Sequence, residues 1–350
     1  MLTLGQASSL TKTIAKWTVG ILGTVFLILI IFRVGSMIKE IISPTPPAPP
    51  TVTFGKLPQI KFPQNNTTSQ FSYTIDTLTG ALPVFSDRAK VYKMVPHRPD
   101  LLAFQKGQDK VSKVEFTSKG SLVSENIYQW TDDTSLSRKI VLNTLTSDFT
   151  LTSSFFTDQT ILSGIHVPDQ TTAMSLAGSF LSKMSSLPSD IDPAKTKTTL
   201  FSIRNGTLVP STSFSDTQII RVDFFQKDID KTPIYYSNKV IPNISILVGG
   251  GEDEPQIVNA DYIYQPISDE SATYPIKTAD EAFSQLQEGK AFILSDVNNT
   301  SSNNISISNI LLGYYVGKDR QDFLMPIIVF EGDNNFVAYL SAVKDEWINN

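Results

Sequence analysis

Thr278-Ala279-Asp280-Glu281-Ala282-Phe283-Ser284-Gln285-Leu286-Gln287-Glu288-Gly289 is the stretch on which the fold turns. Thr278 and Glu281 stand at the spacing where a hydroxyl and a carboxylate cap each other's backbone at the first turn of a helix. Ala279, Ala282, Phe283 and Leu286 recur on one face, and Gly289 suits the residue that closes a helix. Strand-like runs follow at once, over residues 305–316, 323–330 and 336–340. A helix ahead of antiparallel strands buries its stripe on their sheet, which makes this an α+β unit. Pro326 has no N–H for a ladder, so its strand is expected at an edge or a bulge.

The same order occurs earlier. Ala173, Leu176, Ala177, Phe180, Leu181 and Met184 form one helical face, with Asp169 or Thr171 as the cap and Pro188 beyond the end. Strands are expected at 199–203, 218–225, 234–236, 244–248 and 257–264. Ile220, Val222 and Phe224 face one way and Arg221 and Asp223 the other, the pattern of a sheet covered on one face. Two helix-plus-sheet units suggest a duplicated module. Ahead of them, Phe71, Tyr73 and Ile75 alternate with polar residues. Val114 and Phe116 precede a turn at Lys119-Gly120 with a return strand over 122–130, and runs at 140–145 and 149–155 flank Thr146-Ser147-Asp148. This first lobe reads as antiparallel sheet.

The N-terminal region has a different character. No charge occurs from Trp17 to Phe32, and apolar residues resume after Arg33, so Trp17 to Ile38 matches the roughly 20 residues needed to cross a bilayer core. Lys16, Arg33 and Lys39 can snorkel to the interfaces. A signal peptide is the alternative, with Val34 and Ser36 as a loose cleavage pattern that Arg33 opposes. The tail before Lys16 has no acid, which places it in the cytoplasm and the bulk of the chain outside. Ser43 to Pro50 is proline-dense and reads as a polyproline spacer. The expected organisation is a cytoplasmic tail (1–16), a transmembrane helix (17–38), a Pro-rich linker (39–69), a β-rich lobe (70–167) and two α+β modules (168–270 and 271–350).

Composition excludes several chemistries. The 350 residues include no cysteine, so disulfides, thiol catalysis and thiolate-held metals are ruled out. With 29 basic and 34 acidic residues the net charge is -5, which offers no basic footprint for nucleic acid. His97 and His166 lie near prolines and read as solvated turn residues rather than ligands or bases. No cofactor is implied.

Four patterns invite a chemical reading. Ser-x-x-Lys occurs at Ser36/Lys39 and Ser341/Lys344, but without the Ser-Asp-Asn and Lys-Thr-Gly partners of a serine acylase. Gly249-Gly250-Gly251-Glu252-Asp253-Glu254 lacks the alternating ligands of a calcium loop and reads as a hairpin turn. Asp132-Asp133 likewise reads as a turn. Asn-x-Ser/Thr at Asn65, Asn66, Asn205, Asn243, Asn298, Asn299 and Asn304 is expected by chance in so Asn/Ser/Thr-rich a chain. No catalytic, cofactor-binding or metal residue is assigned.

Phe54-Gly55-Lys56-Leu57-Pro58, the 279–289 helix, and Leu312-Gly313-Tyr314-Tyr315 followed by residues 326–332 resemble uncharacterised single-span envelope proteins of bacteria. Their C-terminal module is similar to that of the YycH and YycI regulators of a cell-wall two-component system. The resemblance implies an extracytoplasmic module that acts by contact, with its membrane helix touching a partner kinase. The expectation is therefore a non-enzymatic interaction or sensory module with a protein partner in the envelope. An envelope enzyme with a Ser/Lys or carboxylate site assembled by the fold, and a structural or adhesive surface protein, are the alternatives. Partner identity and oligomeric state stay open.

Overall fold

The computed structural model describes residues 17–18, 22–33, 49–63, 71–132, 136–294 and 304–349. The chain divides into two units, Met1–Pro49 and Pro50–Asn350. In the first, residues 17–18 are helical and residues 22–33 form helix α1, with exposed side chains. Among the described residues no helix is long and apolar enough to cross a membrane. The expected span from Trp17 to Ile38 is thus not supported among the described residues, and its residues 19–21 and 34–38 lie outside them.

The second unit begins with β1 (Ser72–Ile75), β2 (Arg88–Met94) and α2 (Ala103–Ser112), then β3 (Ser121–Ser124), β4 (Ile127–Thr131), β5 (Lys139–Asn143) and β6 (Phe149–Thr152). Helices α3 (Gln159–Ser163) and α4 (Gln170–Lys183) precede β7 (Lys197–Arg204), β8 (Thr207–Pro210), β9 (Ile219–Asp223), β10 (Ile234–Tyr236), β11 (Ile244–Gly249) and β12 (Gln256–Tyr262). The chain closes with β13 (Ile267–Pro275), α5 (Ala279–Gln287), β14 (Phe292–Ile293), β15 (Asn304–Val316), β16 (Phe323–Gly332) and β17 (Val337–Ser341).

The described strands form two mostly antiparallel sheets, so the α+β class holds. The nine-stranded sheet runs β3-β4-β5-β6-β12-β11-β9-β7-β8. Helix α4 covers one face, where Ala173, Ala177, Phe180 and Leu181 meet Ile220, Val222, Ile246 and Ala260. Asp169 caps the helix, its carboxylate accepting from Thr172 N at 2.7 Å. The opposite face is covered too: Leu136, Phe155 and Ile161 pack on Ile219, Leu247 and Val258. One-sided cover was the expectation for this sheet. Asp223 is buried rather than solvated, and it accepts from Arg221 Nε at 2.9 Å.

The eight-stranded sheet runs β1-β15-β16-β17-β14, with β10 added to β15 and β2 joining β13 to β16. Its α5 face holds Ile305, Ile328, Phe330, Ala338 and Leu340, and its other face Tyr315, Ile327, Val329, Val337 and Tyr339. Burial on both faces explains why β16 reads as an unbroken apolar run. Sheet membership does not follow chain order: β3–β6 share the nine-stranded sheet with β7–β9, β11 and β12, while β1, β2 and β10 join this C-terminal sheet.

Three local expectations are corrected. Val114 and Phe116 lie in the turn after α2 rather than on a strand. That helix contains Gly107, at which a Cβ would meet Thr144 at 3.1 Å and Leu142 at 3.2 Å, so a residue that looks like a breaker is there for close packing. Pro326 is neither on an edge strand nor at a bulge: β16 has neighbours on both sides. The Pro326 carbonyl accepts from Ala342 N at 3.0 Å, so its missing N–H points to the same side, in the gap between the β16 residues paired with β2 and the C-terminal end of β17. Finally, the linker expected over 39–69 includes residues that belong to the body. Leu57 is fully buried beside Val91, Tyr274 and Val343 and bridges to Ile348.

Candidate functional site

The site is built around the N-terminus of α5. Thr278 Oγ1 accepts from Glu281 N at 3.2 Å and Glu281 Oε2 from Thr278 N at 2.7 Å, completing the expected capping box. The cap holds the preceding residue, Lys277, against the end of β17, where it is 4% exposed. Its Nζ donates to the carbonyls of Ser341 at 2.9 Å and Val343 at 3.0 Å and pairs with Asp345 Oδ1 at 2.8 Å. An ammonium has three protons, so every one is committed. From the next turns of α5, Gln285 Nε2 donates to Asp345 Oδ2 at 2.8 Å.

These groups border a cleft of about 420 Å³. Ile60, Phe62, Leu340 and Ile348 supply an apolar lining, while Gln59, Gln285 and Lys290 add polar groups. A neighbouring depression of about 230 Å³ shares Lys277, Gln285 and Asp345 and is bordered also by Glu281, Lys344 and Glu346. Lys290 pairs with Glu288 at 2.7 Å, and this bond and charge hold its ammonium above the ordinary value. Burial works to raise the Asp345 carboxyl, but the hydrogen bonds from Lys277 and Gln285 and the charges of Lys277 and Lys290 outweigh it and hold it below the ordinary value.

Ser341 also lines the cleft, and its buried Oγ has no hydrogen-bond partner. Ser341 ends β17 and Lys344 follows on an extended segment, so this Ser-x-x-Lys is not at a helix start. Lys344 Nζ lies 3.8 Å from Glu281. The lysine that does reach Ser341 is Lys277, through the backbone. It cannot accept the Ser341 proton without first releasing a proton of its own from a carbonyl or from Asp345.

The other sequence candidates lie elsewhere. His97 Nε2 is buried without a partner, and burial, with the charge of Arg320, lowers its pKa while Asp148 opposes that shift. His166 is held at φ 55° with Nδ1 3.1 Å from the Gly251 carbonyl. In the β11–β12 turn, a Cβ on Gly250 would fall 1.9 Å from the Ile165 carbonyl oxygen, so that glycine is required by close backbone contact. Glu252, Asp253 and Glu254 are exposed there. Asp132 pairs with the buried Arg138, whereas Asp133 lies outside the described residues. Asn243 is buried and donates to the Gly317 carbonyl at 2.8 Å; Asn205 occupies the β7–β8 turn and Asn304 an exposed strand end. Ser36, Lys39, Asn65, Asn66, Asn298 and Asn299 lie outside the described residues. Lys277 and Asp345 were not legible as a pair, since 68 positions separate them and only the capping box beside Lys277 marks its end.

No protein-family model and no curated protein matches the chain. Among solved structures, an uncharacterised protein from Eubacterium rectale is 14% identical with a TM-score of 0.40, covering 81% of this chain and 92% of that one. The C-terminal domain of Bacillus megaterium YpeB is 11% identical with a TM-score of 0.31, covering 71% of this chain and 95% of that one. At these values neither likeness bears on function. A YycH or YycI likeness is not confirmed, and YpeB is a different protein.

Proposed function

We propose that the chain is a membrane-anchored, extracytoplasmic, non-enzymatic interaction module that engages an envelope protein through the cleft beneath α5. The observation that carries this reading is the committed state of Lys277: the charged groups of the cleft hold one another in place, next to an apolar lining. Fixed polar groups around an apolar centre are the anatomy of a recognition surface. The uncharged run from Trp17 to Phe32 supports the anchor, with the tail before it in the cytoplasm. A sensor kinase is the class of partner that the sequence resemblance implies. The test is affinity capture of the full chain from solubilised membranes, comparing wild type with Ile60→Glu. A protein partner held by wild type and lost by the variant supports the reading, and equal capture by both removes the cleft from it.

The second reading is an envelope enzyme that uses Ser341. The unpartnered Ser341 Oγ inside the cleft favours it. A serine-reactive fluorophosphonate that labels wild type but not Ser341→Ala would establish that reading.

A further inference from the structure

A cavity with an excess of positive charge lies far in sequence from the cleft. A pocket of about 240 Å³ between α2 and the β5–β6 turn is bordered by Arg98, Lys106 and Lys110, with Asp100 as its acid. Asp100 is already engaged twice: it pairs with Lys106, and its Oδ1 accepts from Leu102 N at 2.9 Å. Lys110 is half-buried and its Nζ donates to Ser147 Oγ at 3.3 Å, with no carboxylate partner among the described residues. Burial, and then the charge of Lys113, push the Lys110 ammonium below its ordinary value. Arg98 has no ion-pair partner among the described residues. Such a cluster in a chain of net charge -5 is stabilised by an incoming anion.

The lip of the pocket points to where that anion resides. Leu101 is 104% exposed, Leu102 58% and Phe104 40%, consecutive with the basic residues on the approach to α2 and its first turn. Phe104 is braced by Tyr128, ring centroids 4.6 Å apart, whereas the two leucines project without such support. Cations around exposed leucines form the pattern of a segment that lies in the headgroup boundary of an anionic membrane. We propose that this pocket binds the phosphate of an anionic lipid headgroup, with Arg98 and Lys110 as its ligands and Leu101 and Leu102 entering the membrane surface beside it. The pocket shares no lining residue with the cleft.

The absence of cysteine makes the test site-specific. Full-length chain carrying Leu101→Cys is labelled with an environment-sensitive fluorophore and reconstituted into phosphatidylcholine vesicles with or without phosphatidylglycerol. The expected result is a blue shift that requires phosphatidylglycerol, is lost in Arg98→Gln and Lys110→Gln, and is retained in Lys110→Arg. Arg98 is exposed, so its variant serves as the control for folding. No shift with phosphatidylglycerol, or a shift that both glutamine variants keep, overturns the proposal. Glycerol phosphate added to the detergent-solubilised chain tests a soluble source. If it perturbs the Lys110 side-chain resonance while the label stays in water on phosphatidylglycerol vesicles, the ligand is a soluble phosphate and the lipid assignment fails.

Discussion

The Leu57 N–H donates to the Trp347 carbonyl at 2.8 Å, joining the start of the folded body to its end. The Asn349 N–H returns to the Leu57 carbonyl at 2.8 Å, and the Leu57 side chain fills the cluster beneath. Leu57→Ala should therefore cost about 2–5 kcal/mol, the range for an emptied buried leucine. Urea denaturation of a chain starting at Pro50 measures it. A chain starting at residue 64 should melt lower than one starting at Pro50, because it lacks this clasp.

Lys277 and Asp345 are unequal partners in their ion pair. Lys277→Met orphans the Ser341 and Val343 carbonyls, which should cost about 2–4 kcal/mol. Asp345 has a side chain 69% exposed. Asp345→Asn should accordingly cost about 1 kcal/mol or less, since water screens and replaces the lost interaction. Equal losses in chemical denaturation would show that the pair, rather than the carbonyls, holds Lys277.

Tyr235 and Tyr236 make stability fall at high pH. Burial raises both phenols to about 12 from an ordinary 10.0, with nearby acids adding to the shift. A folded pKa above the unfolded one gives stability that is complete below about pH 10 and declines as pH rises through the folded value. Circular dichroism and tyrosinate absorbance should thus change together above about pH 10. Replacing Tyr235 with Phe should move the alkaline transition to higher pH, whereas Tyr236→Phe also leaves the buried Gln226 N–H without the phenol oxygen that accepts it at 3.0 Å.

Pro326 faces the gap between β2 and β17, where an N–H has no strand partner. Pro326→Val should destabilise the protein by about 1–3 kcal/mol, the cost of an unsatisfied buried donor. A gain in melting temperature would mean that the N–H finds an acceptor there.

Local structure was legible wherever it rests on neighbours in sequence. The Thr278–Glu281 box, the stripe of α4 and the Gly289 stop, with φ 75°, are all present. Sheet membership was not legible, because alternation reports that a segment has two faces and not which strand lies beside it. Tyr73 alternates as expected, yet it pairs in parallel with Ile305, 232 positions later. The cleft was hidden for the same reason. The amide of Gln285 is bonded to Asp345, 60 positions later, and within the stripe Ala279, Ala282 and Leu286 are buried while Phe283 is only half-buried.

The central claim is that the cleft beneath α5 is where a partner binds. Its most direct test is site-specific photo-crosslinking in intact cells, with a photoreactive amino acid at Gln59 and, as the control, at Thr207 on β8 of the other sheet. The account predicts a discrete protein adduct from position 59 that position 207 does not give and that Ile60→Glu abolishes. Adducts from both positions alike, or from position 207 alone, would contradict it.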